Sequence, residues 1–189
     1  MRYLWRVGND HGGGLMVLED VGALSLRLTV GALFLMGTWA SGKTREARDF
    51  TTAETSLVFK TNPRLFAYLG IAMMSLGGLS IIFGVFPRTG ALALTIFLVG
   101  GAAIHFAKCA QLTGYAKTIE PALAGDGAGP ARRALDELTQ AGVLGHFVAG
   151  LKNYALTGAT AYLVLTGCRA PMLIGFGPDG ALQGLLTRL

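Results

Sequence analysis

The sequence predicts an all-α fold, a polytopic membrane four-helix bundle with two extended polar loops on one face. Three observations lead there. Residues 65–86 contain no charged side chain, and in residues 89–107 the only ionisable group is His105. Each run is about 20 residues, roughly 30 Å as α-helix, which matches the hydrocarbon core of a bilayer. The chain is 52% hydrophobic and only 14% charged, whereas soluble domains carry about 25% charged residues. Its basic residues flank apolar stretches and form no contiguous, aromatic-interleaved patch. That pattern, with net charge +5, points to lipid headgroups or an anionic ligand and away from nucleic acid.

Taken in order, residues 1–20 open with Arg2, Tyr3, Trp5 and Arg6, then Gly12-Gly13-Gly14. This reads as a surface-lying interfacial anchor or a disordered leader. The first span is 21–40. It is too long for the apolar region of a signal peptide, although Thr38-Trp39-Ala40 loosely resembles a cleavage site. Arg27 interrupts it, either snorkelling to the interface or facing the bundle interior as a fixed cation paired with an acid or a ligand. Residues 41–64 form the first polar loop, and Thr61-Asn62-Pro63 opens the second span, 65–86, with Thr61 or Asn62 as cap.

Within that span Gly70, Gly77 and Gly84 recur every seven residues and share one face. With Gly78, Ser75 and Ser80 they make a small-residue surface that lets neighbouring backbones approach, so this helix is expected at the packing centre. Met73-Met74 reads as packing and Trp39 as an interface anchor. Pro87 stops the helix and Arg88 places the turn in water or among headgroups. The third span is 89–107. The second polar loop is 108–142, containing a short surface helix over 131–141 with Leu135 and Leu138 on one face and Gly142 as its end. The fourth span is 143–167, closed by Arg169 and Pro171, and the tail holds one or two amphipathic turns over 182–189. The whole forms a single domain, 1–189.

Four spans place both long loops on one face, where most basic residues gather, so the positive-inside pattern puts that face in the cytoplasm. Cys109 and Cys168 then lie on opposite faces and cannot pair. No zinc-type spacing, catalytic triad, phosphate-cradling loop or carboxylate pair is visible, and the spans contain no acid. The expected metal content is none. The candidate site is a headgroup-level pocket built from Arg27, Lys43, His105, His146, Lys152 and Asn153. His105 and His146 approach the same face from adjacent helices. They suit hydrogen bonding to a quinone carbonyl, proton transfer, a bland interface pair or, less well, axial ligation of a haem. Lys152 either snorkels or presents a cation inside the bundle, and Asn153 can bond between helices.

At this point the residues resemble the DoxX family, including its DoxD-type members. The similarity rests on Leu26-Arg27-Leu28 with Gly31, Phe34, Gly37 and Lys43. It extends to Gly77-Gly78-Leu79 with Phe83-Gly84-Val85-Phe86-Pro87-Arg88, and to the stretch from Lys152-Asn153 to Gly158-Ala159. The resemblance implies a four-helix integral membrane protein. Its DoxD branch is a subunit of a thiosulfate:quinone oxidoreductase, and other members associate with redox partners. Two departures matter. Where relatives often carry a glutamate before the glycine pair, this chain has Met73-Met74. The usual Gly-Pro-Gly ending is replaced by Cys168-Arg169-Ala170-Pro171.

The expected function is an integral, multi-pass membrane subunit associated with a quinone-linked or other redox complex, in a bacterial or archaeal cytoplasmic membrane. Its partners are the lipid bilayer and other protein subunits, with quinone as the cofactor considered. As an enzyme it would be one component of a membrane oxidoreductase and would not turn over alone. The alternative is a non-catalytic accessory subunit of a larger membrane complex. A small-solute transporter fits less well, because no inverted repeat or broken helix is visible.

Overall fold

The computed structural model describes residues 18–125 and 128–166, and these are helical nearly throughout. The elements are α1 (Leu18–Gly42), α2 (Arg45–Thr55), α3 (Pro63–Phe83), α4 (Pro87–Ile119), a short 3-10 turn (Glu120–Leu123) and α5 (Gly129–Thr166). Among the described residues three helices are long and apolar enough to cross a membrane, Val21–Gly42, Pro63–Phe83 and Pro87–Leu123. The N-terminal aromatic tip, Cys168 and the tail lie outside the described residues.

α3 is the middle helix, packed between α1 and α4, while α5 lies along α4. The glycine pair explains how. Adjacent helical positions point about 100° apart, so Gly77 and Gly78 serve different neighbours. A Cβ on Gly77 would come within 2.7 Å of the Leu94 side chain and 3.0 Å of the Gly90 carbonyl oxygen, both on α4. A Cβ on Gly78 would meet the Gly31 carbonyl oxygen of α1 at 3.1 Å. Gly70 faces Phe97 of α4. The core draws on all four long helices: Val30 and Phe34, Met74 and Ile81, Leu94 and Leu98, and Leu163. The outside is apolar too, with Met36, Leu76 and Leu165 at 70%, 69% and 79% exposed, as expected of helices facing lipid.

Gly84 is not part of this packing surface. It adopts φ 74° as the left-handed cap of α3, and the amides of Gly84 and Val85 both donate to the Ser80 carbonyl. α3 therefore ends before Pro87, which instead opens α4 at a position where a missing N–H costs nothing. At the other end of α3, Asn62 is left-handed and its side chain makes no capping bond. Pro63 sets the start.

The two polar loops are largely helical. Residues 45–55 form α2, which Thr44 caps by accepting a bond from the Ala47 amide at 3.1 Å. Arg48 donates to the last carbonyl of α1, Gly42, at 2.6 Å, folding α2 back towards the end of α1. The second loop is a helical hairpin. α4 continues past residue 107 to Ile119, and the short surface helix expected over 131–141 is the start of α5. Gly142 does not end it, because a Cβ there would stand 3.1 Å from Leu112 of α4. It is a close-approach glycine, as is Gly150 against Phe106. At 33 and 38 residues, α4 and α5 are about 50 Å and 57 Å long, well beyond a hydrocarbon core of about 30 Å.

Candidate functional site

The polar residues singled out in the sequence fall at two ends of the molecule. Arg27 is at one of them. It is fully buried, its Nε donates to the Ile81 carbonyl at 2.8 Å, and its Nη2 donates to the Ile82 carbonyl at 3.1 Å. These belong to the last turn of α3, where carbonyls lack intrahelical donors and the helix dipole is negative. Arg27 thus faces the interior and caps a neighbouring helix. His105 lies 18 residues after Pro87 along α4, about 27 Å away in axial terms, so Arg27 is not a member of the pocket that holds the histidines.

At the far end a cavity of about 560 Å³ opens between the end of α1, α2, the start of α3 and the middle of α4. Its walls are mostly apolar, including Phe50, Phe59, Phe66, Met73, Phe97 and Ile104. Phe59 stacks on Phe66, centroids 4.4 Å apart, and so holds the α2–α3 connection against the cavity. The polar lining is Ser41, Thr51, Glu54, Thr55, His105 and Asn153. Gly101 makes room for Asn153, whose Nδ2 would be 2.8 Å from a Cβ at that position. Gly100 also lines the cavity, but a Cβ there would meet nothing within 4 Å.

His105 and His146 come together as expected. Their Nδ1 atoms are 3.1 Å apart, a direct hydrogen bond from α4 to α5 in which one ring donates and the other accepts. Lys152 is exposed and acts electrostatically on His105 without lining the cavity. Lys43 is also exposed, with its Nζ 4.2 Å from the Trp39 ring centroid, and it too stands outside the lining. Met74 is core and Met73 is wall. Cys109 lies 3.4 Å from the Val143 carbonyl between α4 and α5.

The sequence reading overlooked Glu54. It sits in what had read as a loop, yet α2 carries it to the cavity within electrostatic reach of His105. Its Oε1 is buried without a hydrogen-bond partner among the described residues. A signal existed: Ala47, Phe50, Thr51 and Glu54 stand at i, i+3, i+4 and i+7, one face of a helix, and all four line the cavity.

The arrangement is a lipophilic slot with a small polar end, of the size that holds one drug-sized molecule. No curated protein and no solved structure matches this chain. The model of one family, DoxX, matches residues 22–107, which include every lining residue of the cavity except Asn153. Over residues 22–107 the chain carries a DoxX domain, and among the described residues three helices are long and apolar enough to cross a bilayer.

Proposed function

We propose that this chain is the membrane subunit of a redox complex and binds a quinone-type ring in the cavity between α2, α3 and α4. The observation that carries this reading is the cavity itself: apolar walls at the end of the membrane helices, closed by the His105–His146 pair. An apolar ring with one polar edge matches that division. In this reading α5 is a fourth crossing, completing a bundle, and the α2 face lies on the cytoplasmic side of a bacterial or archaeal membrane. Catalysis belongs to the assembled complex. Quinone contacts fall to His105 and Asn153, with Lys152 adding positive charge nearby.

Gly100→Leu is the cleanest test, because its Cβ enters open space while the longer side chain fills the cavity. Purified protein is expected to bind a decyl-substituted benzoquinone, measured by calorimetry. Gly100→Leu should weaken that binding at least tenfold with an unchanged melting temperature, and His105→Ala should weaken it as well. Equal binding by all three proteins would remove the site.

A second reading, an accessory subunit that docks a partner, is favoured by the α4–α5 hairpin. Its outer part carries exposed Tyr115, Ile119 and Leu138, the last 74% exposed. A stoichiometric partner retained on gentle purification and lost on deletion of 110–138 supports this reading.

A further inference from the structure

We propose that the cavity selects a ligand that donates hydrogen bonds, an aromatic ring bearing hydroxyl groups, and that Glu54 is the selecting residue. This rests on the cavity reading above and specifies which chemical form of ring the site prefers.

The Glu54 Oε1 is buried, lines the cavity region and lacks a hydrogen-bond partner among the described residues. No basic side chain forms an ion pair with Glu54 there either, since the one ion pair among the described residues is Arg45–Asp49 on the exposed side of α2. A carboxylate oxygen removed from water without a partner is unfavourable, and a ligand that donates to it relieves that cost. The threonine hydroxyls beside it do not supply the proton. Thr51 donates to the Ala47 carbonyl at 2.9 Å and Thr55 donates to the Thr51 carbonyl at 2.7 Å. Their hydrogens are committed to their own helix, and only their oxygens remain to accept.

Ser41, Asn153 and His105 are neutral on the question, since a hydroxyl and a carboxamide can each donate or accept. In the Nδ1–Nδ1 bond with His146 either ring can carry the proton. If His105 donates at Nδ1 its Nε2 accepts, and if it accepts at Nδ1 its Nε2 donates. The pair therefore adapts to a carbonyl or a hydroxyl. Glu54 does not adapt: an ionised carboxylate only accepts. A ring carbonyl would set oxygen against oxygen, whereas a ring hydroxyl makes a charge-assisted bond, the stronger kind. A site whose buried polar group needs a donor discriminates sharply against the analogue that lacks one.

The test compares 5-decylresorcinol with its dimethyl ether, which differ in donors and share the ring and tail. Calorimetry on the purified full chain is expected to give at least tenfold tighter binding of the resorcinol. Glu54→Leu should reduce that ratio to about one while the melting temperature holds, since residue 54 is part-exposed on a short helix. Gly100→Leu should weaken both compounds alike. Equal affinity of wild type for the two compounds, or a preference that survives Glu54→Leu, overturns the role of Glu54 and leaves the cavity reading standing. Binding of none of these compounds, decylbenzoquinone included, by wild type removes both. Tighter binding of decylbenzoquinone than of the resorcinol overturns the selection alone.

Discussion

The two ends of the helix array handle buried polarity in opposite ways. At the Arg27 end a guanidinium is completely enclosed and bonded to the terminal carbonyls of α3, and the glycine contacts bring α1, α3 and α4 close around it. At the His105 end a cavity opens between the helices, two imidazoles bond to each other, and a carboxylate oxygen is buried with no hydrogen-bond partner among the described residues. A charge in a membrane helix is thus no sign of chemistry by itself. What separates structure from site is whether the surrounding groups already satisfy it.

Substitutions should separate the two ends. The largest effect is expected from Arg27→Leu, which strands two carbonyls and removes two bonds from a charged donor. Bonds to charged groups contribute about 1.5–3 kcal/mol each, so a loss of about 3 kcal/mol or more is expected. Denaturation in mixed micelles would measure it, and the protein that remains folded should bind decylbenzoquinone as wild type does. A variant of full stability would mean that the sealed end is not sealed by this residue. His146→Ala should show the reverse. One neutral hydrogen bond is lost, about 1 kcal/mol, but ring binding should fall because the His105 ring is no longer held in place by a partner. Unchanged binding would show that the second imidazole is only packing.

The smallest effect concerns the start of α2. The Glu46 carboxylate is held below its ordinary value of 4.5 by its own backbone amide, then by the Thr44 hydroxyl, with Arg48 adding a smaller pull. A lowered folded value means the contribution is present above about pH 4.5 and fades as pH falls through the folded value. The Ala47 amide, which donates to Thr44, should therefore exchange faster with solvent only once the medium is acidified below pH 4.5. Exchange that stays constant, after correction for intrinsic rate, would show that Glu46 does not hold this helix start.

The second and third apolar spans were readable because nothing polar competes over about 20 residues, and their boundaries moved by only two or three positions where α3 and α4 come together. The hairpin beyond residue 107 was not readable in the same way. Lys108, Gln111, Thr113 and Lys117 look like a loop on hydropathy alone, yet no proline interrupts them, and α5 supplies the packing that keeps them helical. Gly142 and Gly84 mislead in opposite directions. One looks like a helix end and packs, while the other looks like a packing glycine and ends a helix. Propensity cannot distinguish these roles, because glycine suits both close approach and a left-handed cap. His105 and His146 were found because they share a face by topology. Glu54 was missed because its place depends on α2 folding back, anchored by Arg48 on the Gly42 carbonyl.

The adjacent glycines of α3 also bear on motion. Gly77 locks backbone to backbone with α4 and Gly78 does the same with α1, so turning α3 about its axis would drive both contacts into collision. The joint is therefore close-packed on both of its sides. α2 has no such glycine lock. It instead covers the cavity through side-chain contacts, with Arg48 on the end of α1 and the Phe59–Phe66 stack at its far side.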